Sequence, residues 1–91
     1  MSVVGKYAEF AVSCRTKDHS EDVLHYAKRA LIDWFACTLP GGLEEPAVLM
    51  TKALDEDIGR GKSTLLPQGG RATTRTAALI NGTASHIIEF D

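Results

Sequence analysis

The chain has 91 residues, of which 44% are hydrophobic and 24% charged, and its formal net charge is −2. A chain of this length forms at most one small domain with a modest core, and this composition is that of a soluble globular protein rather than a disordered or membrane-embedded one. The ten Lys and Arg residues are dispersed among twelve acidic residues without a basic stripe, which argues against a nucleic-acid partner.

The N-terminal sequence, the length of the apolar runs and the cysteines indicate where in the cell the protein is expected. The N-terminal sequence M-S-V-V-G-K-Y-A-E-F has neither the pattern of a secretory signal nor the Arg-rich bias of an organelle signal. No apolar run approaches the roughly 20 residues that span a bilayer. We therefore expect a cytoplasmic protein without a membrane partner. Cys14 and Cys37 lack a C-x-x-C spacing and are expected to be buried in helices and reduced, with a disulfide as the less favoured alternative.

Two amphipathic helices are predicted in the first half of the chain. The first is indicated by apolar residues that share one helical face, at Val3, Tyr7, Phe10, Ala11 and Cys14. The second is predicted to start at Ser20, whose hydroxyl can accept a free amide hydrogen bond. Its apolar residues continue toward Leu39. Pro40-Gly41-Gly42 is expected to end it, because proline interrupts the hydrogen-bond ladder and glycine tolerates a left-handed turn.

A third helix is predicted to begin near Pro46 and to run to Ile58, with Gly59 as its cap. The acidic run 55–57 is interpreted as a solvated helix end rather than a metal cluster, since consecutive helical residues point in different directions. The segment 63–66, S-T-L-L, is predicted to be a short extended piece between glycine-rich turns.

The fourth helix is predicted to open at Thr73 or Thr74 and to continue to the end of the chain. Arg71 and Arg75 at its start are interpreted as surface charges beside a helix cap. Within it, the small residues Ala78 and Gly82 form a ridge that predicts the close approach of another helix. The predicted fold class is therefore all-α, a small bundle of about four helices with one short extended segment.

The segment 61–64, G-K-S-T, matches the end of a phosphate-binding P-loop. The complete motif needs a glycine five positions before Gly61, where Glu56 stands, and a helix after it. A polar turn is the better interpretation, and nucleotide binding is a distant alternative. His19 and His25 have no metal-ligand spacing, so neither a metal nor a cofactor is predicted.

The last fifteen residues, A-A-L-I-N-G-T-A-S-H-I-I-E-F-D, carry the strongest functional signal. His86 and Glu89 are three residues apart, so on a helix their side chains could meet as a proton-handling pair. The negative pole of the helix favours an imidazolium and disfavours a carboxylate, which pushes both groups toward their protonated forms. From the residues alone, a surface pair or a satisfied polar contact is the more common role.

The same segment resembles the signature N-G-x-x-x-H-x-x-D-F-D-D of the MmgE/PrpD family. Further segments resemble landmarks of the family's N-terminal region in the same order, at A-E-F-A-V-S, A-K-R-A-L-I-D-W-F-A-C-T-L-P-G-G and S-T-L-L-P-Q-G-G-R-A. The resemblance implies that residues 1–91 are the N-terminal part of an all-α helical domain. It also implies that a separate α+β lid domain lies later in such chains, and that the full-length protein is a homodimer.

The resemblance further implies a lyase that acts on a small polycarboxylate without an obligatory metal. Family members include 2-methylcitrate dehydratase, cis-aconitate decarboxylase and iminodisuccinate epimerase, which remove a proton beside a carboxylate. Asn81, Gly82 and His86 fall on the N-G and H positions of the motif, and Glu89 and Asp91 on its first two acidic positions. By this resemblance His86, Glu89 and Asp91 are predicted to be catalytic and Asn81 to bind the substrate.

Two features of the match affect activity. Glu89 replaces the usual Asp, and the added methylene shifts the carboxylate by about 1 Å, a displacement that can cost roughly 100-fold in rate. The Lys and His residues that come later in the family are not among these residues, so the 91-residue chain alone is expected to be inactive. The alternative function is a non-catalytic helical module that uses its apolar faces for partner binding or dimerisation.

Overall fold

The computed structural model of the chain describes residues 2–88. In that range four α-helices and a two-stranded antiparallel sheet follow one another as α1 (Val3–Ser13), α2 (Glu21–Gly41), α3 (Glu45–Ala53), a 3-10 turn (Asp55–Asp57), β1 (Ile58–Thr64), β2 (Arg71–Ala72) and α4 (Thr74–Ile87). The prediction of a mostly helical fold is confirmed, while the pair of strands corrects the all-α class. Across residues 2–88, every helix is too short or too polar to cross a bilayer.

Hydroxyl side chains define where three of the helices begin. Ser2 caps α1, Ser20 caps α2 and Thr73 caps α4. Each hydroxyl accepts a hydrogen bond from the backbone amide three residues later, at 3.0, 3.2 and 3.4 Å respectively. These bonds satisfy amides that have no partner inside the helix. The predicted starts of the second and fourth helices are thereby confirmed.

Helix α2 extends two residues beyond its predicted end at Leu39. Pro40 lies in the last turn, where it removes only one hydrogen bond, and Gly42 closes the helix by donating to the carbonyl of Thr38 at 3.1 Å. The predicted left-handed glycine turn is wrong here, since Gly42 has a φ of −65°. Gly41 serves a different purpose, because a Cβ at this position would overlap the carbonyl oxygen of Ala84 on α4.

Helix α3 is shorter than predicted. It ends at Ala53, and the acidic residues 55–57 form a 3-10 turn in place of a last α-helical turn. Three consecutive carboxylates at the negative end of a helix dipole disfavour its continuation. Ile58 and Gly59, predicted as the end and the cap of the helix, belong to strand β1.

The 3-10 turn is tied to α4 by one side-chain hydrogen bond. The hydroxyl of Thr76, which is 1% exposed, donates to a carboxylate oxygen of Asp57 at 2.9 Å. The predicted solvated end therefore holds for Asp55 and Glu56, which are exposed, but not for the half-buried Asp57.

Strands β1 and β2 form an antiparallel ribbon that is more extensive than the predicted extended segment. Ser63 and Thr64 pair with Ala72 and Arg71, and the register is irregular between Ile58 and Ser63. In the irregular stretch Gly61 has a φ of +80°, and a Cβ there would lie 2.7 Å from the carbonyl oxygen of Ala72. Glycine is required at this position by both its conformation and its surroundings. The segment that resembles a P-loop lies inside this strand, and a loop and strand β2 follow it directly where a P-loop would have a helix.

The core lies where α4 packs against α2, α3 and the sheet. Among the described residues, the buried hydrophobic ones are Cys37, Ala47, Leu65, Ala72, Ala77, Ile80 and Ala84. By contrast, none of the described residues of α1 is buried, and residues 21–33 of α2 are all exposed. The first helix and the first half of the second helix therefore extend away from this core. Cys14, predicted to be buried, is partly exposed just past α1, whereas Cys37 is buried within α2.

Candidate functional site

The structure describes two of the four predicted site residues. Asn81 and His86 lie on α4, whereas Glu89 and Asp91 are outside the described residues. Helix α4 ends at Ile87, and Ile88 has the extended conformation with φ −106° and ψ 127°. The prediction that this helix continues to the end of the chain is therefore wrong. Helix α4 thus ends one residue after His86, and the predicted pair of His86 with Glu89 lies outside the described residues.

His86 lies at the edge of an open surface groove on α4. The groove has a volume of about 470 Å³ and is lined by His86 together with Ala78, Leu79, Gly82, Thr83 and Ile87. The imidazole of His86 is exposed at this edge. Apart from His86 and the Thr83 hydroxyl, which donates to the carbonyl of Leu79 at 2.8 Å, the lining side chains are apolar or absent. The described groove thus offers one titratable group.

Asn81 lies on a different side of α4 from this groove. Its Oδ1 accepts a hydrogen bond from the amide of Leu66 at 3.0 Å, and its Nδ2 donates to the carbonyl of Thr64 at 3.0 Å. Five residues along a helix correspond to a rotation of about 140°, which separates Asn81 from His86. The structure does not bring these two predicted site residues together.

The small-residue ridge faces the groove and is not covered by another helix. A Cβ at Gly82 would meet nothing within 4 Å, so the predicted close approach at Ala78 and Gly82 is wrong for the described residues. The close approach occurs at Gly41 and Ala84 instead. The sequence signal for that contact is the glycine pair 41–42, which also marks the end of α2.

The start of α4 matches its interpretation as a capped helix with surface charges. Arg71 and Arg75 are exposed, and Nη1 of Arg71 donates to the carbonyl of Lys62 on the neighbouring strand at 2.9 Å. Within residues 2–88, no group of three or more His, Cys, Asp or Glu side chains lies close enough together to hold a metal ion.

The turn predicted at 67–70 is part of the loop that connects the two strands, residues 65–70, here called the β1–β2 loop. Leu65 and Leu66, predicted as extended, belong to this loop and not to β1. The amide of Leu65 donates to the carbonyl of Gly70 at 3.0 Å, and the amide of Gly69 donates to the carbonyl of Leu65 at 2.9 Å. The glycine-rich sequence P-Q-G-G between two short strands is typical of a hairpin connection. A second strand after Gly70 could have been predicted from it.

Comparisons with known proteins point to one family. The family model described as the MmgE/PrpD N-terminal domain matches residues 5–91. A curated relative, the cis-aconitate decarboxylase-like protein oryM of Aspergillus oryzae, is 27% identical over 90 residues. That alignment covers 99% of this chain and 19% of the relative. Among solved structures, none matches.

The resemblance found in the terminal motif is thus confirmed by a match that covers nearly the whole chain. The match begins within α1 and includes the β1–β2 loop, α4 and the segment that contains Glu89 and Asp91. On this evidence the chain belongs to the MmgE/PrpD family, and residues 5–91 match the model of its N-terminal domain.

Proposed function

We propose that the chain is the N-terminal part of a lyase that acts on a di- or tricarboxylic acid. The family match carries this proposal, because it extends through the segment with His86, Glu89 and Asp91. The relative from Aspergillus oryzae, whose name refers to cis-aconitate decarboxylase, supports a polycarboxylate as the substrate class. Since the chain spans only 19% of that relative's length, the activity belongs to the complete protein.

The proposed chemistry starts with removal of a proton from the carbon beside a carboxylate. In a dehydratase the electron pair left on that carbon forms a double bond as hydroxide departs, and an acid protonates the hydroxide to water. In a decarboxylase the bond to a carboxylate breaks in place of a carbon–hydrogen bond. Its electron pair stays on the substrate as carbon dioxide departs, and an acid protonates the resulting carbanion. We assign the proton transfers to the imidazole of His86 and the carboxylates of Glu89 and Asp91, because positioned groups of these types act as general acids and bases.

The described groove supplies only part of what this reaction needs. Abstraction of such a proton also requires cationic groups that stabilise the developing negative charge and a site closed from water. The groove beside His86 is open, and its lining contains no Lys or Arg side chain among the described residues. We therefore expect the isolated 91-residue chain to have no measurable lyase activity.

The proposal is tested on the protein translated from the complete reading frame that encodes this chain. It is incubated with 2-methylcitrate and with cis-aconitate, and loss of water or of carbon dioxide is measured. His86→Gln and Glu89→Gln are each expected to lower kcat/KM by about 100-fold or more, since each removes a proton-transfer group. Glu89→Asp keeps a carboxylate and is expected to retain far more activity than Glu89→Gln.

A matched control is Lys17→Ala, which changes an exposed residue in the turn between α1 and α2. It should leave kcat/KM unchanged. Full activity of Glu89→Gln and His86→Gln would overturn the assigned roles. Absence of turnover with every di- and tricarboxylic acid tested would overturn the lyase proposal itself. Turnover by the 91-residue chain would overturn the expectation that this chain is inactive.

The second candidate is a non-catalytic module that binds a partner or dimerises. It is favoured by the apolar face of α1, where Val3, Tyr7 and Phe10 are 68%, 72% and 62% exposed. Large exposed apolar surfaces on small proteins mark interaction sites. In the proposed lyase the same surface of α1 would contact the rest of the complete protein or form part of the interface of a homodimer.

A further inference from the structure

The carboxamide of Asn81 has a hydrogen-bond partner on both of its polar atoms. The amide of Leu66 and the carbonyl of Thr64 each lie 3.0 Å from it. These backbone groups flank Leu65, whose side chain is 1% exposed in the core cluster with Ala72, Ala77 and Ile80. Asn81 therefore satisfies the backbone on both sides of the most deeply buried residue of the β1–β2 loop.

The contact imitates a neighbouring strand. In a parallel pair of strands, one residue bonds to the carbonyl before and to the amide after the residue opposite it. The carboxamide of Asn81 bonds to the groups before and after Leu65 in the same way. Its loss would leave two backbone groups without these partners beside the core. A short side chain with a donor and an acceptor on separate atoms is needed, and Asn has both at this length, whereas an ionised Asp has only acceptors.

Two further contacts hold the same loop. Nε2 of Gln68 donates to the hydroxyl of Thr51 on α3 at 3.0 Å. Pro67 packs so closely on Gly42 at the end of α2 that a Cβ on this glycine would overlap the proline ring. Helices α2, α3 and α4 thus each contribute one anchor, and the anchor on α4 is Asn81.

We propose that Asn81 is a positioning residue that anchors the β1–β2 loop to α4 and makes no contact with the substrate. Its carboxamide is directed to the loop, whereas His86 lines the groove on another side of the helix. The exclusion of a substrate contact rests on the proposed lyase function. The anchoring role is independent of that function and is tested separately on the 91-residue chain.

Substitution of Asn81 by aspartate keeps one of the two hydrogen bonds and removes the other. In Asn81→Asp one carboxylate oxygen can still accept from the amide of Leu66, but the other faces the carbonyl of Thr64 with no hydrogen to donate. At neutral pH the thermal unfolding midpoint is expected to fall by about 5 to 15 °C. Protonation gives the new carboxyl a donor, so the folded state favours its neutral form. The deficit against the unsubstituted chain should therefore shrink as the pH falls to about 4 and below.

The matched control is Ala78→Asp, at an exposed position of the same helix. It introduces the same charge without a carbonyl partner, and its unfolding midpoint should show no comparable recovery at low pH. A variant Asn81→Asp that is as stable as the unsubstituted chain at neutral pH would overturn the anchoring role. So would a deficit that stays constant between neutral and acidic pH. If this variant is unfolded at neutral pH, refolding on acidification supports the proposal and failure to refold opposes it.

Amide hydrogen exchange gives a second measurement. In Asn81→Ala the amide of Leu66 should exchange at least about tenfold faster relative to the amides of Ile80 and Ala84 in α4. An unchanged ratio of these exchange rates would contradict the anchoring.

In the complete enzyme the KM of folded Asn81→Ala should stay within about twofold of the unsubstituted value. A rise of about tenfold in KM, with unaltered hydrogen exchange at the amide of Leu66, would show instead that Asn81 binds the substrate. A complete protein without lyase activity would refute the proposed function, while the exchange and pH results would still decide the anchoring.

Discussion

At the scale of single residues, two glycines of this chain have opposite environments although both lie in helices. Gly41 in α2 faces the backbone of α4 so closely that a Cβ would overlap the carbonyl oxygen of Ala84. Gly82 in α4 has open space where its Cβ would be. The first glycine permits the crossing of the two helices that form the core, and the second has no packing role among the described residues. Glycine lowers helix stability relative to alanine. At Gly41 this loss is offset by the contact between α2 and α4, whereas at Gly82 no contact of the described residues offsets it.

The two positions form a matched pair of alanine substitutions. Gly41→Ala is expected to lower the free energy of unfolding by about 2 kcal/mol or more, because backbone atoms of α4 must move to accommodate the methyl group. Gly82→Ala should raise the free energy of unfolding by about 0.5 to 1 kcal/mol, since it improves helix propensity without a clash. Urea denaturation of both variants measures the difference. Equal effects of the two substitutions would show that α2 and α4 do not cross at Gly41.

At the scale of elements, α4 and α1 differ in how they are held. Helix α4 packs against α2, α3 and the strands, and it contributes Ala77, Ile80 and Ala84 to the core. Helix α1 contributes no buried residue to the described structure, and its bonds are those of its own ladder and caps. A helix of 11 residues is marginally stable in water without tertiary contacts. The stability of the fold therefore depends on α4 and is nearly independent of α1.

Truncation of a side chain in the core and of another on α1 tests whether the stability of the fold depends on the core and not on α1. Leu65→Ala, in the core, is expected to lower the free energy of unfolding by about 3 kcal/mol or to unfold the chain, because it leaves a cavity. Phe10→Ala, on α1, should change it by less than about 0.5 kcal/mol, since Phe10 is 62% exposed. Ile80→Val offers a milder core variant, with an expected loss of about 1 kcal/mol. A large effect of Phe10→Ala on chemical denaturation would show that α1 packs on the core.

At the scale of the whole molecule, the chain is more extended than a self-contained domain of its length. Its radius of gyration is 16.3 Å, and its extents are 41 × 29 × 23 Å. A compact domain of this length has a radius of gyration of about 12 Å. The difference agrees with the arrangement of α1 and the first half of α2, whose apolar residues are exposed. Burial of that surface would contribute to the stability of whatever assembly covers it.

The exposed surface predicts association of the isolated chain at high concentration. We expect sedimentation velocity to show a larger average species as the concentration rises, because the apolar faces of α1 and α2 can bury one another. The double variant Tyr7→Ser and Leu31→Ser should remain monomeric, since both positions are exposed and apolar in the structure. A monomer at every concentration would contradict this expectation and would weaken the dimerisation module as the alternative to a lyase fragment.

Much of the local structure could be predicted because it depends on neighbours in sequence. The caps at Ser20 and Thr73 and the apolar spacing of the helices follow from short-range hydrogen bonds and helical periodicity. The end of α3 could not be located, since the run of carboxylates and the pairing of Ile58 with Ala72 compete with a helix. Strand β2 was missed because a two-residue strand leaves almost no pattern of its own.

For the candidate site, the terminal motif identified the family and the chemistry that we propose, because the order of its residues is specific. The sequence could not show that Asn81 and His86 lie on different sides of α4. It also could not show that the carboxamide of Asn81 bonds to the backbone of Thr64 and Leu66, 17 and 15 residues earlier. The sequence correctly indicated a helix end at Gly41 but not the close contact of this glycine with α4, and it predicted a helix contact at Gly82 that the described residues do not make.

The amino-acid sequence by itself therefore determined the helical class, the capped starts of α2 and α4 and the membership in the MmgE/PrpD family. These properties depend on side chains a few positions apart or on the order of motifs along the chain. Only the tertiary structure decided which glycine allows two helices to meet, which residue anchors the β1–β2 loop and which apolar faces stay exposed. Those outcomes depend on contacts between segments far apart in sequence, whose packing is governed by shape and by the need to satisfy buried backbone groups.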